Sequence, residues 1–252
     1  MNTLVILATL PVFLILYYVY RKDVNKEPIS KLLLTLFVGC LSVIPASIME
    51  LYLETMKPAG PISGGLYEGF VVAAFSEELC KFLLLLLVIW RSPHFNEYFD
   101  GIIYAVFISM GFAGVENLMY VFQSGDYATS VGTAVVRAIV SVPGHFLFAV
   151  AMGYFLSLAR FDPAHRKSHL IKSILYPILL HGTFDAILMV SENLQTDETI
   201  AYLIGTLELV IFVIFDIRMW RKGIRRINHL QQLSQQQDFD RRNPFANFRW
   251  NF

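Results

Sequence analysis

Seven apolar runs, near residues 2–20, 31–53, 67–90, 101–122, 133–159, 172–191 and 199–219, occupy most of the chain. At 1.5 Å of rise per residue, each is long enough to cross about 30 Å of hydrocarbon as a helix. Backbone in lipid must satisfy its own hydrogen bonds, and apolar runs of this length do so as helices. The expected fold class is therefore all-α, a polytopic membrane helix bundle of about seven or eight transmembrane helices. Composition agrees, since 56% hydrophobic and 16% charged residues over 252 positions is too apolar for an ordinary soluble domain. With a net charge of +0 there is no basic excess to suit a nucleic acid, so the expected surroundings are the lipid bilayer.

Charge is unevenly placed along the chain. Arg21, Lys22, Lys26 and Lys31 follow the first run, Arg91 the third, Arg160, Arg166, Lys167 and Lys172 the fifth, and Arg218, Arg221, Lys222, Arg225 and Arg226 the seventh. The alternate loops hold Lys57 alone. Under the positive-inside rule this predicts a multi-pass protein of the cell membrane with its N-terminus outside and its C-terminus cytoplasmic. The first run has no basic stretch before it and no small-residue cleavage signature after it, so it reads as a retained helix. Residues 1–220 are expected to form the membrane domain. Residues 221–252, basic and then rich in Gln, read as a cytoplasmic tail that begins as a juxtamembrane helix and becomes poorly ordered.

Within the third run stands Ser76-Glu77-Glu78-Leu79-Cys80-Lys81. Each charge near a bilayer centre costs about 2.5–3.5 kcal/mol on insertion scales, so three together call for a chemical explanation. Helical spacing predicts a Glu77–Lys81 pair and turns Glu78 about 100° away, toward a cavity. Other runs add Glu116-Asn117, His145 after Pro143-Gly144, and His181 with Asp185 at i, i+4 spacing. Counted from the outer ends of the runs, Glu77, Glu78, His145 and His181 lie roughly 15–20 Å deep, and Glu116 and Asp185 roughly 9 Å. The groups thus share one slab.

Each element alone has a structural explanation: an ion pair for Glu77 and Lys81, an interhelical hydrogen bond for His145, a local bond for His181–Asp185, helix glue for Glu116-Asn117. Cys80 reads as a small packing residue and Arg137 as a snorkelling one. Glu50, Glu208 and Asp216 sit near run ends, where headgroups explain them. Jointly, a carboxylate pair, a further Glu, two His and an Asp point to a reaction site. The candidate catalytic residues are Glu77, Glu78, Glu116, His145, His181 and Asp185, with Lys81 and Asn117 supporting. No H-E-x-x-H zinc motif, Gly-x-Ser-Gly nucleophile or Gly-x-Gly-Asp aspartyl motif occurs in a run, which leaves Glu-based or unconventional metal-based hydrolysis.

Several blocks in order resemble the PrsW family of bacterial membrane proteases, more distantly related to CAAX prenyl endopeptidases. They are Asp23 with Lys26-Glu27-Pro28; Glu77-Glu78-x-x-Lys81; Asp100-Gly101 leading to Gly111-Phe112-Ala113-Gly114-Val115-Glu116-Asn117 and Tyr120; Arg137 before Pro143-Gly144-His145; and His181-Gly182-x-Phe184-Asp185. The resemblance spans roughly residues 15–220, and Ile29-Ser30 replaces the second Glu-Pro of the fuller family pattern. It implies an intramembrane endopeptidase that hydrolyses a peptide bond of a membrane-anchored, single-span protein near its extracytoplasmic side, in some members an anti-sigma factor. Two routes fit. In a glutamate route Glu77 or Glu78 activates water and no cofactor is needed. In a metal route Zn²⁺ is held among His145, His181, Asp185 and Glu116 while another Glu acts as base. A proton-coupled carrier or sensor is the alternative use of a midplane carboxylate and histidine cluster, although the chain shows no internal repeat of the kind many carriers have. The substrate's identity and the oligomeric state are not legible.

Overall fold

The computed structural model describes residues 2–192 and 198–243. Its helices are α1 (Asn2–Lys22), α2 (Ile29–Glu54), α3 (Pro61–Tyr67), α4 (Ser76–Ile89), α5 (Asp100–Gln123), α6 (Tyr127–Ile139), α7 (Ser141–Phe161), α8 (Arg166–Glu192) and α9 (Glu198–Arg242). A π-helical segment, Glu68–Phe75, joins α3 to α4, and a short 3₁₀ turn, Pro163–His165, lies between α7 and α8. The protein is thus a helical membrane bundle. Among the described residues, five stretches are long and apolar enough to cross a membrane: Thr3–Lys22, Ile29–Glu54, Asp100–Gln123, Tyr127–Phe161 and Pro163–Val190. The runs at 67–90 and 199–219 are helical as well, within the α3–α4 rod and α9.

Helix α5 is the hub, packing on α1, α2 and α7, and every residue from Asp100 to Ala113 is buried. Close approach of α5 to α7 depends on two facing glycines. A Cβ on Gly153 would stand 2.3 Å from the Gly101 carbonyl oxygen, and one on Gly101 would stand 2.6 Å from that of Gly153. Small residues at such crossings let helices gain dispersion contacts where lipid offers no hydrophobic drive. The outer faces of α1 and α2 expose Leu10, Phe13, Leu14, Phe37, Ile44 and Leu51, as lipid-facing surfaces should.

The fifth run, expected to be one span, breaks at Val140, where φ is −111° and ψ is −66°. Pro143 explains the break: its ring would clash with the carbonyl of Ile139 in a continuous helix, whereas it is tolerated in the first turn of a new one. Helix α9 runs unbroken across residue 220. Its later part packs against the bundle, burying Ile227 and Leu230 in the main core. Ser234 Oγ accepts the Phe99 N–H at 2.9 Å, and Gln231 Nε2 donates to the Lys22 carbonyl at 2.6 Å. The segment expected to be a tail is therefore helical through Arg242 and docked on the loops after α1 and α4; residues 244–252 lie outside the described residues.

Candidate active site

Glu77, Glu78 and Lys81 lie in the first two turns of α4, directly after the π segment. Lys81 Nζ donates to Glu77 Oε2 at 2.9 Å and to Glu78 Oε1 at 2.8 Å, so one ammonium bridges both carboxylates. Spacing alone assigned Lys81 to Glu77. On a helix, i+3 and i+4 neighbours are both within reach of a long side chain, and the lysine takes both. All three residues are buried. The expected Glu77–Lys81 pair is present, but the carboxylate that borders a cavity is Glu77, while Glu78 is sealed.

Two histidines close over this triad from α7 and α8. His145 Nδ1 stands 3.3 Å from Lys81 Nζ, and its Nε2 stands 2.8 Å from Glu116 Oε2 on α5. A carboxylate accepts, so Glu116 holds the proton of His145 on Nε2 and leaves the Nδ1 lone pair facing inward. His181 Nδ1 stands 3.1 Å from Glu78 Oε1 and its Nε2 3.0 Å from Asp185 Oδ2. The imidazoles meet edge to face with centroids 5.3 Å apart, and Phe148 stacks on His181 at 4.7 Å. Phe112 lies under Lys81, 3.9 Å from Nζ to ring centroid. Helices α4, α5, α7 and α8 therefore bring all six candidate catalytic residues into one network.

Asn117 supports this network from outside. Its Nδ2 donates to the Ala8 carbonyl at 2.7 Å, and its Oδ1 accepts from Arg137 Nε at 2.8 Å. Arg137 is not a snorkelling residue. Its Nη2 stands 2.9 Å from Glu116 Oε2 and its guanidinium lies 4.1 Å from the Tyr120 ring centroid, which extends the network to α6. Glu50, which headgroup exposure seemed to explain, lines the same cavity as Glu77 and Glu116. Glu50 was not identifiable from its own neighbours in sequence. For Glu50 and Glu116 the available signal was depth, since they lie one and two turns inside the C-terminal ends of α2 and α5.

The cavity has a volume of about 290 Å³ and leads inward from Glu68 and Gln123, past Glu50 and Tyr120, to Glu77 and Glu116. Lys57 pairs with Glu68 and with Glu54 at its mouth. This is the end of the bundle poor in basic residues.

The donor set fits a transition metal. Ligand atoms of Glu77, Glu78, His145 and His181 all lie within 4.8 Å of one another. Glu78 Oε2 is buried with no hydrogen-bond partner among the described residues, a costly state for a carboxylate oxygen unless a cation or water takes it up. Glu116 and Asp185, grouped with the histidines as ligands on residue type, instead hold the second nitrogen of each ring, the outer-shell arrangement that orients metal-binding imidazoles. Lys81 Nζ now bonds among the same donors and would have to yield contacts to a metal.

A family model described as PrsW family intramembrane metalloprotease matches residues 27–216. The chain is 33% identical over 228 residues to Protease PrsW of Clostridioides difficile strain 630, covering 89% of this chain and 90% of that protein. It is 36% identical over 186 residues to Protease PrsW of Bacillus subtilis strain 168, covering 73% of this chain and 81% of the relative. The corresponding protein of Halalkalibacterium halodurans is 29% identical over 235 residues, 92% of this chain and 99% of its own. No solved structure matches.

Proposed function

The chain belongs to the PrsW family of intramembrane metalloproteases and is a multi-pass membrane peptidase; from that premise we propose that it cuts a single-span membrane protein near its extracytoplasmic side. The cavity carries this reading. It opens at the end of the bundle poor in Lys and Arg, which the charge rule places outside the cell, and its floor is the Glu77 carboxylate. An anti-sigma factor is one substrate of this class. Helical peptide bonds are shielded by their own hydrogen bonds, so the substrate must enter the cavity as an unwound segment.

Glu77 is the general base in this scheme, because it is the member of the pair in contact with the cavity and so with water. Glu78, His145 and His181 are the residues that would hold a zinc ion, a His₂Glu set of the kind hydrolytic zinc uses. When bound, the ion would supply Lewis acidity toward the scissile carbonyl. Lys81 offsets one of the two negative charges of the carboxylate pair, and Glu116 and Asp185 fix the planes of the two imidazoles. Arg137 and Asn117 hold Glu116 in turn. Membership in a protease family removes the ground for the carrier alternative.

The test uses purified protein in lipid nanodiscs with a panel of synthetic single-span peptides, together with elemental analysis. Cleavage is expected to fall by about 10²-fold or more in Glu77→Gln, Glu78→Gln and His181→Ala. Stoichiometric zinc is expected in the parent protein and in Glu77→Gln, and its loss in His181→Ala. Parent-like cleavage in Glu78→Gln and His181→Ala would sink the site assignment. Full cleavage by protein shown to be zinc-free would sink the metal half of it.

A further inference from the structure

The turn between α7 and α8 holds a second set of ligand side chains, independent of the site above. Asp162 Oδ2 stands 2.9 Å from His165 Nδ1 and 3.3 Å from His169 Nε2. The three ligand atoms lie within 4.8 Å of one another, with the rings 6.2 Å apart between centroids and steeply inclined at 75°. His145 lies 17 residues earlier in the same chain direction along α7, about 25 Å away at helical rise, so the two clusters share no ligand.

A simpler reading accounts for part of this geometry. Asp162 Oδ1 accepts the His165 backbone N–H at 3.4 Å and so caps the turn. That cap does not require a second imidazole to converge on the other carboxylate oxygen. The two arginines nearby are drawn elsewhere: Arg160 and Arg166 lie beside the Trp90 ring, Arg160 Nε donates to the Phe95 carbonyl, and Arg166 Nε donates to the Ala159 carbonyl. Access is graded. His165 has a side chain 71% exposed, Asp162 37% and His169 15%, so an ion would be anchored on the protein side by His169 and open to water on the other.

We propose that Asp162, His165 and His169 form a divalent transition-metal site at the α7–α8 turn, taking zinc or an ion of similar softness. Two imidazoles with one carboxylate disfavour Mg²⁺ and Ca²⁺, which take oxygen cages, and suit Zn²⁺, with water filling the open position. The ion would tie the end of α7 to the first turn of α8. These helices carry His145 and His181, so the turn is placed to stiffen the hairpin that presents both imidazoles.

The proposal is tested on the full chain in nanodiscs by diethylpyrocarbonate labelling of histidines, read by peptide mass spectrometry during titration with zinc chloride. His229, exposed and distant in sequence, is the internal control. About 50 µM zinc is expected to slow labelling of His165 by at least fivefold while His229 is unchanged, and the protection is expected to disappear in His169→Gln and in Asp162→Asn. Because the readout is local to His165, metal bound at the active site does not contribute to it. Labelling of His165 unchanged by zinc would overturn the proposal, as would protection that persists in both variants, which marks binding by a single surface imidazole.

Discussion

At the scale of single residues, Lys81 is held from several sides at once. Its ammonium has no exposure, bonds two carboxylates and faces an imidazole nitrogen. Removing one partner of a buried ion pair leaves the other charge unpaired, at a cost of about 3–5 kcal/mol. Lys81→Met is therefore expected to lower the thermal unfolding midpoint sharply in detergent or nanodiscs, and Lys81→Met combined with Glu77→Gln and Glu78→Gln to regain most of the loss. If the triple variant is no more stable than Lys81→Met, the destabilisation comes from lost packing and not from stranded charge. The types of the site residues were legible in the sequence, because a charge inside an apolar run stands out. Their partners were less so. Whether Lys81 meets one carboxylate or two, and whether Arg137 points to headgroups or to Glu116, depends on side-chain directions fixed by neighbouring helices.

At the scale of elements, the π segment Glu68–Phe75 decides how α4 meets α8. π turns are rare and concentrate at functional sites, where the extra residue per turn re-aims the side chains of the next helical turn. In this chain the re-aimed side chains are Glu77 and Glu78, and the segment's partner is the turn of α8 that carries His181. Gly69 sits at their contact: a Cβ there would stand 2.7 Å from the backbone nitrogen of Ala186, which has no rotamer by which to yield. Gly69→Ala is expected to push the segment off α8 and part His181 from Glu78. Displacements near 1 Å cost about 10²-fold in rate, so cleavage should fall by that order while membrane insertion and yield are retained. Gly132→Ala, where nothing lies within 4 Å of the new Cβ, is the matched control and should cut normally. An unaffected Gly69→Ala would show that this contact does not set the site. The length of the apolar runs revealed the helices but neither the π turn nor the break at Val140, since run length registers only continuity. Pro143 was the one local signal for the break, through its clash with the preceding turn.

At the scale of the whole molecule, the end of the bundle opposite the cavity is closed by α9. The later part of this helix lies as a strap over the loops after α1 and α4, through Gln231 to Lys22, Ser234 to Phe99 and Gln237 to Asn96. Composition concealed the strap, because arginines and glutamines dominate its sequence and resemble a solvated tail. The spacing of Ile227, Leu230 and Ser234, three and then four apart, nevertheless traces one helical face, and that face is buried. A chain ending at residue 222 separates the two descriptions. Two fully buried aliphatic side chains contribute about 1.5–3 kcal/mol each as an upper bound, and the Phe99 N–H would lose its acceptor. The truncated protein is therefore expected to insert normally but unfold several degrees lower, with protease nicking appearing first in the 91–99 loop that Ser234 and Gln237 now cover. An unchanged midpoint and nicking pattern would restore the tail reading and leave α1–α8 to close the bundle without help. The strap and the cavity that Glu77 borders thus sit at opposite ends of the bundle, so loss of the strap is expected to change stability without opening that cavity.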